Sequence, residues 1–576
     1  PNKPFFFEKK DDIKKVEKKI NLRISHNQNF IEYSEIGFEY LKDIAEIIKK
    51  NMGGLLLIDY GYTEKKMKNT LQAISNHKFA NILDNIGNTD ITHNISFSLL
   101  RNFIKNISLA GIGLSGLNTI SGNNKRFETY LSNRPAINKR TYTSKAVEDQ
   151  INFIKSQIKD PQLSWIFENC YPNTIDTTVD YEFIDGKPDT FIITGDIDAM
   201  WLRDSTAQVW PYLPLVKKDE KIRNLIKGLI NRQAKCVIRD PYANSFYKDL
   251  SKISAHNKDI PTPIAGVHEQ KWEVDSLCYV IRLSYNYYKL TGDNSIFDET
   301  WIKSSKLIYD TFLTEQRKDG TSPYRFIRNG TAMVDAPVFS GTGRPYKPNG
   351  MICSMFRPSD DATMYPFLIP SNIFASISMQ QLSEIYKDQK MDLIFSKKCI
   401  SMSKEIDLAV KKYAIREHLG YGKIYSYEID GFGNNLYMDD ANVPSLMSLA
   451  YLDSKFEKDE VYLNTRVFLL SENNPYFLKG KAAEGQASPH TGKDKIWPMG
   501  IILRAMTSES DEEIEKCLRM LVNTHAGTGF MHEAFDKDNP SNYFRSWFAW
   551  ANTLFGELII KINNERPHLL RIKYSS

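Results

Sequence analysis

Glu273-Val274-Asp275-Ser276-Leu277-Cys278-Tyr279-Val280-Ile281-Arg282-Leu283-Ser284-Tyr285-Asn286-Tyr287-Tyr288-Lys289-Leu290 carries apolar side chains three and four positions apart, the spacing of one face of an α-helix rather than the alternation of a strand. The same spacing returns in Val147 to Ile158, Lys221 to Ile238, Trp301 to Gln316, Ser371 to Tyr386, Met391 to Tyr413, Val443 to Leu452, Ile496 to Met506, Asp511 to Asn523 and Trp547 to Asn563. Loops containing Gly, Pro and aromatic residues separate these segments. No strand–helix alternation accompanies them, so the pattern predicts an all-α toroid of helical hairpins over residues 133–576. In such a ring the loops at one end build the site.

Composition agrees with a packed globular body. The chain has 576 residues, 41% hydrophobic and 25% charged, close to the globular average. Its 75 Lys and Arg against 70 Asp and Glu leave a formal net charge of +5. Without a long block of like charge this is too small an excess to track a phosphate backbone, which argues against a nucleic-acid partner. No apolar run reaches the roughly 18 to 20 residues of a membrane-spanning helix, so no stable membrane insertion is expected. The six cysteines form no C-x-x-C pair, which gives neither a zinc knuckle nor a dithiol motif; buried, reduced thiols are expected. Aromatic residues at 12%, eight of them Trp, suit a cleft in which flat sugar faces stack on rings.

Residues 1–98 have a different texture. Gly53-Gly54-Leu55-Leu56-Leu57-Ile58-Asp59-Tyr60-Gly61-Tyr62 reads as a buried strand of an α/β sheet, preceded by an amphipathic helix from Phe38 to Asn51. Together with Asn69-Thr70-Leu71-Gln72-Ala73 and Asp90-Ile91-Thr92-His93-Asn94-Ile95-Ser96-Phe97, residues 38–98 resemble part of the MidA-type SAM-dependent methyltransferases. No glycine-rich cofactor loop precedes Gly53, so the resemblance implies a small partial α/β segment that does not methylate. Residues 99–132 form a signal-like apolar segment and linker. Arg101 and Lys105 lead into Ile107-Ser108-Leu109-Ala110-Gly111-Ile112-Gly113-Leu114, which reads equally as an export signal or as an apolar linker helix. A periplasmic or secreted location is expected if this segment is the true N-terminus, and a cytoplasmic one if the chain as given is the product.

Chemistry-bearing residues concentrate in four interhelical clusters, where a rigid scaffold usually displays function. The first, Thr194 to Gln208, holds Arg203 and Asp204 for bidentate contacts to sugar hydroxyls and Trp201 as a stacking face. The second, Gly266 to Asp275, holds His268, Trp272 and Asp275. In the third, Phe356 to Asn372, Asp360 and Asp361 are adjacent in a Pro-rich loop, where burial and mutual repulsion can raise a carboxyl into the range of a general acid. The fourth runs from His525 to Asp536 and on through Arg545 to Asn552, with Glu533 just ahead of an aromatic belt. Each cluster alone also reads as a capped helix start or a solvated loop, and adjacent aspartates such as Asp360-Asp361 are more often helix caps. Neither His268-Glu269 nor His532-Glu533 continues to H-E-x-x-H, and no G-x-S-x-G elbow occurs. Metal-independent acid/base chemistry without a cofactor is the favoured reading.

These clusters, with Phe167-Glu168-Asn169-Cys170-Tyr171-Pro172-Asn173-Thr174-Ile175-Asp176-Thr177-Thr178, resemble glycoside hydrolase family 125, the exo-α-1,6-mannosidases, from about Asn133 to Ile560. The resemblance implies an (α/α)6 barrel, no metal, an α-mannoside glycan as substrate, and release of terminal non-reducing mannose with inversion. It implies Asp360 as general acid, with Asp361 as the alternative, and Glu533 as general base. Arg203, Asp204, His268, Trp272, Asp275, Asp440, His490 and Arg545 are expected around the sugar. Two competing readings are a carbohydrate-binding protein without turnover and a methyltransferase-related fusion.

Overall fold

The computed structural model describes residues 130–575 except 321, 331 and 332, together with residues 14, 15, 17 and 18 and five short strands between residues 61 and 96. The chain divides into two compact units, Pro1–Arg126 and Phe127–Ser576. In the first, Gly61–Tyr62 pairs in parallel with Ile95–Ser96, and Gln72–Ser75 pairs antiparallel with both Lys78–Ala80 and Asp90–Thr92. The expected Phe38–Asn51 helix, the run from Gly53 to Tyr60 and the signal-like segment lie outside the described residues.

The second unit is an (α/α)6 barrel. Its described helices are α1 (Lys145–Gln157), α2 (Pro161–Cys170), α3 (Leu202–Val209), α4 (Glu220–Arg239), α5 (Val274–Thr291), α6 (Glu299–Glu315), α7 (Ile369–Asp388), α8 (Leu393–Tyr413), α9 (Leu449–Leu452), α10 (Glu460–Leu469), α11 (Pro498–Met506), α12 (Asp511–Asn523) and α13 (Ala549–Glu565), with a few shorter turns between them. The odd-numbered helices from α3 onward form the inner ring: α3 packs on α5, α5 on α7, α11 on α13 and α13 back on α3. α9 completes it, since Arg282 of α5 donates to Leu452 O and the hydroxyl of Thr507, after α11, reaches Met447 just before α9. Outer helices cover inner ones, as α8 covers α7, α12 covers α11 and α2 covers α13.

Burial separates the two rings. Every residue of α11 is buried, and α5, α7 and α13 bury most of their length. Outer α12 buries one stripe, Ile514, Cys517, Leu518, Leu521 and Val522 among it, and leaves Glu512 of its first turn exposed. All six cysteines are buried and unpaired by disulfides. Among the described residues no helix is long and apolar enough to cross a membrane.

Capping separates the rings as well. Ser144, Asp160, Asp219, Asp298, Asp392, Asp459 and Ser510 each accept first-turn amides of α1, α2, α4, α6, α8, α10 and α12, as short polar N-caps do. The inner helices α3, α5, α7, α11 and α13 instead begin at Trp201, Glu273, Leu368, Trp497 and Phe548, none of which makes a side-chain cap. Of these residues the aromatic Trp201, Trp497 and Phe548 face the barrel mouth.

Three differences from the sequence pattern have physical causes. Helix α2 escapes apolar periodicity, although Asp160-Pro161, a cap followed by proline in the first turn, marks its start. Helix α3 is short and buries Arg203, Asp204, Ser205, Thr206 and Gln208. Gln233 of α4 reaches in from outside and donates to Leu202 O, Ser205 and Thr206, so this part of the helix is held by polar contacts rather than by an apolar stripe. The expected helix from Val443 shrinks to Leu449–Leu452, because Pro444 has no N–H and the Asp439 carboxylate takes the amides of Leu446 and Met447.

Candidate active site

Segments leading into the inner helices converge on one pocket. Its wall combines carboxylates (Asp196, Asp204, Asp360, Glu533), cations (Arg203, His490, Arg545) and aromatic rings (Trp201, Trp497, Phe548, Trp550). Six of the sequence-predicted residues line it: Arg203, Asp204, Asp360, His490, Glu533 and Arg545.

Asp360 sits at the end of a tight turn. Arg357 N donates to Asp361 O at 2.7 Å and Asp360 N to Arg357 O at 2.9 Å, while the Arg357 guanidinium is fixed by buried Glu428 at 2.6 Å. Asp360 has φ 65°, a left-handed conformation that Asp tolerates better than most residues and that recurs at functional sites. Its side chain joins the pocket wall, with Oδ1 3.1 Å from Arg203 Nη2. Burial pushes this carboxyl up, but Arg203, a hydrogen bond with Glu273, Lys271 and His490 outweigh it and hold Asp360 below the usual carboxylate range. Asp361, adjacent in sequence, does not line the pocket; its side chain is 2% exposed and accepts from His490 Nδ1 at 2.9 Å.

Glu533 comes from the segment just before the strand Ala534–Asp536, which pairs with Lys495–Ile496 ahead of α11 and with Tyr543–Phe544 ahead of α13. Arg545 Nε lies 3.2 Å from Glu533 Oε2, and Arg545 also pairs with Asp196 across the pocket. Burial pushes the Glu533 carboxyl up, against the pull of Arg545 and His490. This moves it toward the operating range of a general base. Burial lowers His490, yet Asp361, Asp360 and Glu533 together raise it to about 9, so it stands as an imidazolium facing both carboxylates at neutral pH.

The other four predicted residues stand behind the wall. His268 is not in the lining; its ring packs edge-on against Trp201, with centroids 5.2 Å apart, and Nδ1 meets Tyr247 Oη at 2.8 Å. Trp272 is 1% exposed, and its Nε1 donates to Cys353 O at 2.7 Å, which ties the Asp360 loop to the start of α5. Asp275 is fully buried 3.5 Å from Arg203 Nη1, and burial pushes it up to about 6 despite that cation. Asp440 accepts from Ser359, Ser488 and Asn442, and so joins three loops of the mouth. All four therefore stand behind the residues of the pocket wall.

Asp196, Asn442 and Trp497 line the pocket without having been singled out in the sequence. Trp497 was legible in principle as a bulky aromatic just before Pro498, at a helix start with no polar cap. Asp196 and Asn442 carry no local signal. Trp201 Nε1, Thr194 Oγ1 and Asp204 Oδ2 are buried without a hydrogen-bond partner in the protein, and all three residues face the pocket. Buried polar groups seldom stay unpaired, so these are places for ligand hydroxyls. With charges paired internally and rings on several sides, the pocket fits a neutral polyhydroxyl group between two carboxylates, an arrangement suited to acid/base cleavage of an acetal.

Comparison with known proteins agrees. Residues 160–560 match the family described as metal-independent alpha-mannosidase (GH125), and residues 5–114 match one described as an S-adenosyl-L-methionine-dependent methyltransferase. The latter match begins earlier than the predicted 38–98 and runs into the signal-like segment. The meiotically up-regulated gene 157 protein of Schizosaccharomyces pombe is 40% identical over 457 residues, 76% of this chain and 89% of that protein. A Streptococcus pneumoniae structure, from a family of metal-independent alpha mannosidases and described as a non-productive complex with alpha-1,6-mannobiose, superposes with TM-score 0.70 at 40% identity, covering 74% of this chain and all of that one. The matched span runs from the start of α2 into α13 and takes in every residue of the pocket wall, and the chain belongs to the metal-independent α-mannosidases of glycoside hydrolase family 125.

Proposed function

We propose that this glycoside hydrolase removes terminal, non-reducing mannose from α-1,6-linked mannosides by a single displacement that inverts the anomeric centre. Asp360 protonates the departing glycosidic oxygen, while Glu533 takes a proton from a water that attacks the anomeric carbon from the opposite face. The observation that carries this reading is that Asp360 and Glu533, 173 residues apart in the chain, line one pocket with the His490 imidazolium facing both. Arg203, Asp204 and Arg545 hold the sugar and the two carboxylates. The α-1,6-mannobiose of the streptococcal complex supports the choice of linkage.

The test is release of mannose from α-1,6-mannobiose with a chelator present, comparing the intact chain with Asp360→Asn and Glu533→Gln. Each variant is expected to lose about 10²–10⁴-fold in kcat. Proton NMR of the first product should show the β anomer. An α anomer would overturn inversion, and a folded chain inert toward α-1,2, α-1,3 and α-1,6 linkages would point to a binding protein.

A further inference from the structure

Glu273, immediately before α5, is fully buried, with a side chain 0% exposed. Arg203 Nη1 donates to its Oε2 at 2.6 Å and Ser276 Oγ to the same oxygen at 2.8 Å. The other guanidinium nitrogen, Nη2, lies 3.1 Å from Asp360 Oδ1. Asn244 Nδ2 stands 3.4 Å from both Glu273 Oε1 and Asp360 Oδ1. One guanidinium and one amide therefore bridge the two carboxyl groups and bring them within reach of sharing a proton. A hydrogen bond between two carboxyls requires that one of them be protonated.

The neighbouring charges make that proton necessary. Asp204 at 3.4 Å and Asp275 at 3.5 Å crowd the same Arg203, which thus serves four carboxyl groups. Lys271 donates to the backbone oxygen of Asp360 at 2.9 Å, but its charge is shared with Glu269 at 3.6 Å and Asp335 at 2.5 Å. His490 faces Asp360 from the pocket side. Four buried carboxylates cannot all ionise around one guanidinium. Burial and the charges of Asp360 and Asp275 drive Glu273 well above the usual range despite Arg203, whereas Asp360 is held below it. The proton rests on Glu273, the fully enclosed member of the pair, which shares Arg203 and Asn244 with the group that must deliver it.

We infer that Glu273 is a positioning residue that stores the catalytic proton and passes it to Asp360 in each turnover. This rests on the reading of Asp360 as the acid. The proton leaves the Glu273 carboxyl for Asp360 Oδ, and Asp360 transfers it to the glycosidic oxygen as the C1–O bond breaks. The Glu273 carboxylate left behind is stabilised by Arg203 and Ser276. Glu533 meanwhile gains the proton of the attacking water. Return of one proton through solvent from Glu533 to the Glu273–Asp360 pair restores both sites, so protons balance over the cycle.

The experiment compares full-length Glu273→Gln with the wild type on α-1,6-mannobiose, whose leaving group needs a proton, and on 2,4-dinitrophenyl α-mannoside, whose leaving group does not. Glutamine preserves shape and can accept from Arg203 and Ser276, but it holds no transferable proton. The expected result is a loss of about 10²-fold in kcat on mannobiose, at least tenfold greater than the loss on the aryl mannoside. KM should be unchanged, and the basic limb of the kcat–pH profile should shift to lower pH. Glu273→Asp, which restores a titratable carboxyl, should recover part of the mannobiose rate. Equal losses on both substrates with an unmoved pH profile, wild-type activity, or no recovery in Glu273→Asp would overturn the inference. Asp360→Asn is run in parallel. If its loss does not depend on the leaving group, the assignment of Asp360 as acid fails; if it does and that of Glu273→Gln does not, the storage role alone fails.

Discussion

His490 Nδ1 lies 2.9 Å from Asp361 Oδ1, which turns two residues 129 apart in the chain into the ion pair behind the candidate acid. The imidazolium is raised from 6.5 to about 9 by Asp361, Asp360 and Glu533 against the opposing effect of burial. A histidine whose folded pKa lies above its unfolded one stabilises the fold fully below the unfolded value, and that contribution fades as pH rises through the folded value. Between pH 7 and 10 the melting temperature of the wild type should therefore fall more steeply than that of His490→Asn. Parallel melting curves for the two proteins would show that His490 contributes nothing to this slope.

Arg545 and Asp196 act on Glu533 with opposite signs. The Arg545 guanidinium, 3.2 Å from Glu533 Oε2, favours the ionised base, while the Asp196 charge disfavours it. Arg545→Met should move the acidic limb of the kcat/KM–pH profile to higher pH and lower kcat/KM at pH 5 by about tenfold. Asp196→Asn should move the same limb to lower pH. Shifts in the same direction would mean that the two side chains act by holding the loop rather than by their charges.

Gly228 lies inside α4, where alanine would ordinarily stabilise a helix by up to about 1 kcal/mol. A Cβ at this position would come within 2.3 Å of Thr190 Oγ1 and 2.9 Å of Thr190 N, on the strand Lys187–Ile192 that packs across the helix. The close approach reverses the sign, and Gly228→Ala should cost about 1–3 kcal/mol in denaturant unfolding. Gly228→Ala with unchanged or increased stability would show that the strand yields.

The helical ring was legible because burial in a closed barrel imposes a local period. Outer helices such as α12 show a clean stripe, and α5, α7 and α11 are long or apolar enough to register. What stayed hidden was local polarity with a distant partner: α3 buries polar residues that Gln233 satisfies from α4, and α2 announces itself only by its cap. The pocket divided in the same way. Asp360, His490, Glu533 and Arg545 line the pocket from segments between helices, as expected, whereas Arg203 and Asp204 reach it from the first turn of α3. His268, Trp272 and Asp440 share that chemistry but bond to their partners from behind the wall, and Asp275 is buried beneath Arg203.

Residue types and their spacing pointed to a helical toroid with a site in its loops, and the resemblance to glycoside hydrolase family 125 singled out Asp360 and Glu533 as the acid and base. These are properties of short windows, in which period, cap and charge can be read directly. The orientation of Asp360 into the pocket and of Asp361 onto His490, and the four carboxyls gathered on Arg203, came from the folded chain. Adjacent aspartates are chemically alike until a left-handed turn separates them, and segments of the chain far apart in sequence meet at one guanidinium only when the ring closes.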